Sequence, residues 1–376
     1  MPRPSMPLFE RTSSTVFETV ADWANAVEDL RHVRLEQREL IHVVVVGSRQ
    51  NLLEFLKSER GPIGLRCAGS SDRVSLFHYE RRFGRQGQHR VAGRFLLARS
   101  RVDFVYLILF VAHPRFWRRV IAPLIDFLYP RAALPFLTQA ELHRLLKIAQ
   151  KAIQPELGLR VLELSSKKRL SAAARKRFQS VREWTDTDLE SVFREARERN
   201  EWFKSVSFGL VGEEDGRLVS TGVRASVSKY GYFSCNGHFD VFERTVIQEL
   251  VQVAAERLQF FADRDRLHTP NHAPKPVQIS YESEIFRAAD QAQRFVDALR
   301  KFKHGTCTVL HANPYVHLSV VDNLDYSSAE VWVVSQNQIL IVPQLQASEN
   351  GLKRIVNHIF EHFREGKLSE YQVQES

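Results

Sequence analysis

The chain has 376 residues, of which 44% are hydrophobic and 26% are charged, and its formal net charge is +9. This supply of apolar residues is sufficient for hydrophobic cores, so the composition excludes a wholly disordered protein. Its three cysteines, Cys67, Cys235 and Cys307, are too few and too widely spaced for a disulfide framework. Such cysteine usage is typical of a reducing compartment, and we expect a cytoplasmic protein.

The N-terminal segment gives no sign of export or membrane anchoring. Residues 1–14 contain prolines but no long apolar run, which predicts a disordered tail and not a secretory signal. The longest apolar run covers residues 104–112, whereas a membrane-spanning helix needs about 20 apolar residues. A run of this length suits a strand buried on both faces of a sheet. We therefore predict no membrane partner.

The hydrophobic pattern predicts runs of short strands, each run followed by a helix. Three such endings are present, at residues 104–128, 232–261 and 339–363. This order predicts an α+β fold of two or three repeated modules, each an antiparallel β-meander covered by a C-terminal helix. The predicted domains are a basic α+β module at 15–155, a central α+β module at 156–267, a proline-rich linker at 268–276 and a C-terminal α+β module at 277–376.

Positive charge is concentrated in one part of the chain. Residues 51–177 contain 25 Lys and Arg against 9 Asp and Glu, while the remainder has a net charge of −7. One cluster begins at Arg81 and continues to residue 102 without a carboxylate, and the other covers residues 167–177. Unpaired cations repel one another unless an anion neutralises them, and the arginine side chain offers a planar fork that fits a phosphate.

The first hypothesis is a non-catalytic nucleic-acid-associated or scaffold protein that contacts phosphates of DNA or RNA through these two clusters. Residues 84–88 are predicted to be the loop of a hairpin, with Arg90 and Arg94 on one face of its second strand. The predicted nucleic-acid-binding residues are Arg81, Arg82, Arg85, Arg90, Arg94, Lys167, Lys168, Arg169, Arg175, Lys176 and Arg177.

Two other interpretations of the charge stay open. The basic side chains could pair with carboxylates of the chain's own acidic C-terminal half. Alternatively, the protein could be a subunit of an assembly, in which the basic half binds an acidic protein partner and apolar strands pair with neighbouring copies in an oligomer.

No catalytic residue, cofactor or metal ligand is predicted, because the sequence has neither a glycine-rich phosphate loop nor a nucleophile elbow. The run His358–His362 fits the H-x-x-E-H pattern of inverted zinc proteases, but few residues follow it that could supply a third ligand. Cys235 and His238, with Cys307 and His311, have spacings that four zinc ligands can adopt. We interpret these residues as structural.

A divalent-metal-dependent nuclease or other hydrolase is the third hypothesis. It would need clustered carboxylates, and the nearest candidates are Asp322, Asp325 and Glu330 around a predicted strand turn. No lysine stands beside Glu330 in the pattern typical of such nucleases, so a polar hairpin is the favoured interpretation.

Overall fold

The structure, a computed structural model, describes most of the chain. The described residues are 16–32, 40–58, 62, 64–83, 88–111, 116–153, 158–168, 179–183, 189–199, 201–214, 217–266, 271, 274–312 and 315–371. They form two compact units. The first comprises Met1–Ser165, Val181–Arg194 and Phe203–Glu256, and the second comprises Ser166–Ser180, Glu195–Trp202 and Arg257–Ser376.

The predicted α+β class is confirmed, because both sheets are antiparallel and helices pack on them. One sheet has ten strands, in the order β2-β3-β4-β5-β1-β10-β9-β8-β6-β7. The early elements are α1 (Val20–His32), β1 (Ile41–Gly47), α2 (Leu52–Lys57), β2 (Leu65–Ser70), β3 (Val74–Phe83), β4 (His89–Arg99) and β5 (Val105–Val111), followed by a π-helical turn (Trp117–Ile121) and α3 (Ala122–Leu128).

Further elements continue this sheet and its helices. They are α4 (Gln139–Ile153), β6 (Gly158–Lys168), β7 (Gln179–Glu183), α5 (Leu189–Glu198), β8 (Glu201–Glu214), β9 (Arg217–Ser228), β10 (Tyr232–Cys235), α6 (Phe239–Phe242), a second π-helical turn (Glu243–Ile247) and α7 (Gln248–Ala262). Strands from the predicted modules 15–155 and 156–267 thus lie in one sheet. The predicted domain boundaries themselves stay a prediction.

Residues Val105–Val111 of the predicted apolar strand form the central strand β5, whereas Phe104 lies before the strand and is exposed. Every residue of β5 and of β1 is buried, and the two strands pair in antiparallel register from Ile41 and Val111 to Gly47 and Val105. One side of these strands is covered by α2, by the π-helical turn and by α3, whose apolar residues share a core with Phe77. Burial of this apolar area is what holds the helices on the sheet.

The second sheet has six strands, in the order β12-β13-β14-β15-β11-β16. Its elements are β11 (Val277–Ser280), a 3₁₀ turn (Ile285–Arg287), α8 (Ala289–Arg300), β12 (Gly305–His311), β13 (His317–Asp322), β14 (Ser327–Ser335), β15 (Gln338–Pro343), α9 (Glu349–His362) and β16 (Lys367–Glu370). The buried residues of β13 to β15 alternate along each strand, as expected when helices cover one face of a sheet.

The two sheets contain the same module. In each, a first strand is followed by a helix, a four-strand meander and a second helix, and the first strand pairs with the last strand of the meander. The first copy, β1 to α3, covers residues 41–128, and the second copy, β11 to α9, covers residues 277–362. We call residues 41–128 the basic module. We call residues 277–362 the acidic-junction module, because two aspartates of its hairpin, Asp322 and Asp325, contact an arginine of its second helix, Arg354. No helix among the described residues is long and apolar enough to span a bilayer.

Candidate nucleic-acid interface

The predicted hairpin is formed by β3 and β4, and its end extends past the neighbouring strands. Pairing of β3 with β2 stops at Tyr79, and pairing of β4 with β5 begins only at Leu96. Beyond these points β3 and β4 pair with each other along Glu80–Phe83 and His89–Ala92, and the backbone N–H of Glu80 also donates a hydrogen bond to the Gly64 oxygen at 3.1 Å. We call this two-stranded segment the ribbon. Four residue pairs give it a length of about 13 Å.

Strand alternation divides the charges of the hairpin between its two sides. In an antiparallel pair, residues directly opposite each other lie on the same side, and consecutive residues lie on opposite sides. The open side carries Arg66, His78, Glu80, Arg82, Arg90, Ala92 and Arg94. The helix side, which faces the π-helical turn, carries Tyr79, Arg81, Phe83, His89 and Val91.

Glu80 is the acidic group on the open side. It accepts hydrogen bonds from Arg90 Nη2 at 2.7 Å and from Arg82 Nε at 3.4 Å. Burial acts to raise the pKa of Glu80, but these hydrogen bonds and the two positive charges outweigh it and lower the pKa. The side chains of Arg82 and Arg90 stay 72% and 63% exposed, so both remain accessible to a ligand.

A second row of charge crosses three strands at the base of the ribbon. Arg66 pairs across β2 and β3 with His78, which pairs in turn across to Arg94 on β4. Within the described part of the chain, neither arginine has a carboxylate at ion-pair distance. The open side therefore has four arginines for one carboxylate.

The helix side brings arginine and aromatic side chains together. Arg81 Nη1 donates a hydrogen bond to the backbone oxygen of Arg119 at 3.2 Å, and the Arg119 guanidinium carbon lies 4.7 Å from the centre of the Phe83 ring. The His89 ring, opposite Phe83 on β4, has its centre 5.4 Å from the Phe83 ring centre. These contacts hold Arg81 and Arg119 on the helix side of the ribbon.

A glycine makes this approach possible. A Cβ atom on Gly93 would lie 2.3 Å from the Phe116 ring, so only glycine leaves room for the ring at this point. Phe116 is buried directly before the π-helical turn. The turn that carries Arg119 is therefore held close to β4.

The structure brings together four of the predicted nucleic-acid-binding residues, but not on one side. Arg82, Arg90 and Arg94 lie on the open side, whereas Arg81 lies on the helix side. Lys167 and Lys168 end β6, where the structure describes only the backbone. The predicted residues outside the described part of the chain are Arg85, Arg169, Arg175, Lys176 and Arg177.

Two arginines that the sequence analysis did not select also belong to this region. Arg66 joins the open side through the pairing of β2 with β3, and Arg119 reaches the helix side from the π-helical turn. No sequence signal places Arg66 beside His78, because the register of β2 on β3 is not evident from the sequence. No sequence signal places Arg119 over Phe83, because that contact depends on tertiary packing.

The three carboxylates of the hydrolase hypothesis do not converge in the structure. Asp322 pairs across the hairpin with Ser327, so Glu330, three residues further along β14, points to the opposite face of the sheet. Glu330 lies 3.1 Å from His317 Nε2. Asp322 and Asp325 do lie together, where both contact the guanidinium of Arg354.

The first histidine of the H-x-x-E-H pattern, His358, makes a hydrogen bond in the core of the acidic-junction module. His358 is buried, and its Nε2 is 2.8 Å from the backbone oxygen of Ala298, a contact that requires this nitrogen to carry its hydrogen. Across the described residues, no group of three or more His, Cys, Asp and Glu side chains is arranged to hold a metal ion.

Comparison with known proteins assigns no family to this arrangement. The chain matches no family model, and no curated protein shows significant sequence similarity to it.

Proposed function

We propose that this chain is a non-catalytic nucleic-acid-binding protein, and that the open side of the ribbon contacts the backbone phosphates of DNA or RNA. The observation that carries the proposal is the charge of that side, where the described residues include one carboxylate, Glu80, and four arginines, Arg66, Arg82, Arg90 and Arg94. Like charges at this density repel one another, and a phosphate chain would relieve the repulsion.

The shape of the ribbon supports nucleic acid as the anion. A two-stranded β-ribbon fits the major groove of a duplex, and its two strands can face the phosphates on either side. Arg82 on β3 and Arg90 on β4 are directly opposite each other. One guanidinium is thus available on each strand of the ribbon.

The proposed role is that of a scaffold or binding protein in the cytoplasm. All three cysteines are free, which supports a reducing compartment. Phosphate contacts position a protein on nucleic acid but carry no sequence information by themselves. We therefore expect binding that depends on salt and only weakly on sequence.

The test is fluorescence anisotropy with a labelled duplex and a single strand of equal length, at low and at physiological salt. The double variant Arg82→Gln/Arg90→Gln removes two charges from the open side of the ribbon. The matched control is Arg73→Gln/Arg99→Gln, which removes two exposed arginines from the other end of the same hairpin.

We expect the ribbon variant to weaken binding by about tenfold or more and the control variant by less than about threefold, because phosphate contacts add to affinity where they are made. Equal losses in both variants would mean that only total charge matters. Absence of binding by the native chain at low salt would contradict the proposal and leave an acidic protein partner as the alternative.

A further inference from the structure

The two copies of the module provide an internal reference for the helix side of the ribbon. In both copies, the hairpin between the second and third strands of the meander lies next to the helical segment that follows the meander. In both, that segment contributes an arginine to the contact. The copies differ in what the hairpin offers to this arginine.

In the acidic-junction module, the hairpin provides carboxylates. Asp322 ends β13 on the helix-covered face, where its Oδ2 accepts a hydrogen bond from Arg354 Nε, and Asp325 Oδ2 lies 2.9 Å from Arg354 Nη2. Two oxygens from two side chains thus bind one guanidinium, which is the fork geometry that arginine also offers to a phosphate.

In the basic module, the corresponding position has no carboxylate. The hairpin offers Phe83 beneath the Arg119 guanidinium and adds a second cation, Arg81, which is bonded to the Arg119 backbone. Among the described residues, no carboxylate lies at ion-pair distance from either arginine. The Arg119 guanidinium is therefore held over the Phe83 ring, with Arg81 bonded to the Arg119 backbone, and neither arginine has an anionic partner among the described residues.

We propose that Arg81 and Arg119 form a second anion site, on the helix side of the ribbon, that binds one phosphate group. Such an anion would take the role that the Asp322 and Asp325 carboxylates have in the other copy. The inference is independent of nucleic-acid binding by the open side, since it uses the other side of the two strands and other arginines.

The site is accessible to a ligand in water. Arg119 and His89 are exposed, while Arg81 and Phe83 are half-buried. The phosphate group can belong to a nucleic-acid backbone or to a small phosphorylated molecule, because both present the same oxygens to the fork. The experiment separates these sources.

The first measurement is titration calorimetry of the full chain with inorganic phosphate at low ionic strength. The variant Arg119→Gln is compared with Arg118→Gln, since both arginines are exposed neighbours on the π-helical turn and both changes remove one charge. We expect Arg119→Gln to weaken phosphate binding at least tenfold and Arg118→Gln to change it less than twofold. Arg81→Gln should match Arg119→Gln, and thermal unfolding of each variant confirms that it is folded.

No phosphate binding by the native chain, or equal losses in Arg118→Gln and Arg119→Gln, would overturn the inference. The double variant Arg82→Gln/Arg90→Gln should still bind phosphate, so a failure of nucleic-acid binding and a failure of this site give different results. The second measurement uses the labelled duplex. A loss of affinity in Arg119→Gln, relative to Arg118→Gln, identifies a backbone phosphate as the ligand, and equal affinity identifies a small phosphorylated molecule.

Discussion

The basic module and the acidic-junction module build the same junction of hairpin and helix and give it opposite charge balance. In the acidic-junction module, Arg354 meets the wholly buried Asp322 together with Asp325, so the guanidinium has anionic partners within the fold. In the basic module, Arg119 meets Phe83 and Arg81. One topology therefore accommodates either an internal ion pair or an unneutralised cationic surface.

The two copies also differ in which element provides the glycine where the helical segment and the strand approach closely. In the basic module the strand contributes the glycine, Gly93, against the Phe116 ring. In the acidic-junction module the helix contributes it, because a Cβ on Gly351 would lie 2.2 Å from the side chain of Ser327. The junction is thus conserved in arrangement without residues in common.

The largest effect should come from breaking the buried ion pair. Arg354→Met would leave the Asp322 carboxylate buried without its cation, and we expect a loss of about 3–5 kcal/mol in the stability of the second unit. Arg119→Met, the matched change in the basic module, should cost less than about 1 kcal/mol because no buried charge depends on it. Hydrogen exchange followed by mass spectrometry measures the local stability of β13 and of β3 separately.

The loss caused by Arg354→Met should also depend on pH. Burial raises the pKa of Asp322 to about 7. A raised pKa means that the folded state favours the neutral carboxyl, so stability is lost as the pH rises through the folded value. In Arg354→Met this loss is larger, because the ionised carboxylate is then buried without its cation. Hydrogen exchange should therefore show a larger loss at pH 8 than at pH 5.5, and equal losses would contradict a buried Asp322.

The second effect concerns the support of the ribbon. Gly93→Val would force the Phe116 ring away from β4, and overpacking of this kind costs about 1–3 kcal/mol. Urea denaturation of the variant should show this loss, and Gly237→Val is the control because a Cβ on Gly237 comes no closer than 4.0 Å to a neighbour. A similar cost in both variants would mean that the contact with Phe116 is not special.

The two sides of the ribbon differ in predictability. A period of two places Arg82, Arg90 and Arg94 on one side once the hairpin is recognised, and this pairing is found. The neutralising role of Glu80 was not predicted, although Glu80 directly precedes the arginine cluster. The junctions at Arg119 and Arg354 join segments far apart in the chain, and periodicity within a segment carries no information about such contacts.

A third effect sharpens the contrast in charge. Glu80 holds Arg82 and Arg90 in the free protein, so it competes with phosphate for the same two side chains. Glu80→Gln should therefore increase affinity for a duplex by about three- to tenfold at low salt, because two arginines become available for phosphate contacts. Anisotropy titrations of Glu80→Gln and of the control Asp72→Asn, an exposed residue at the other end of β3, test this. Unchanged affinity in Glu80→Gln would show that the internal pair does not compete.

The smallest effect lies in the core of the acidic-junction module. Burial lowers the pKa of His358, against the opposing influence of the Ala298 carbonyl and of Glu361. The folded state then takes up a proton less readily than the unfolded state, so stability present above about pH 6.5 is lost as the pH falls. Between pH 7.5 and pH 5, denaturation should show that the native chain loses stability relative to His358→Gln, because the opposite contribution of Asp322 is common to both chains. An equal change of stability in both chains would exclude an effect of His358.

The most direct test of the central claim is the salt dependence of duplex binding by the native chain. Each phosphate contact contributes about −0.9 to the slope of log affinity against log salt concentration. Four arginines on the open side predict a slope of about −3 to −4. The double variant Arg82→Gln/Arg90→Gln should make the slope shallower by the contribution of about two phosphate contacts. A slope near zero, or a slope that the double variant leaves unchanged, would contradict binding through the ribbon.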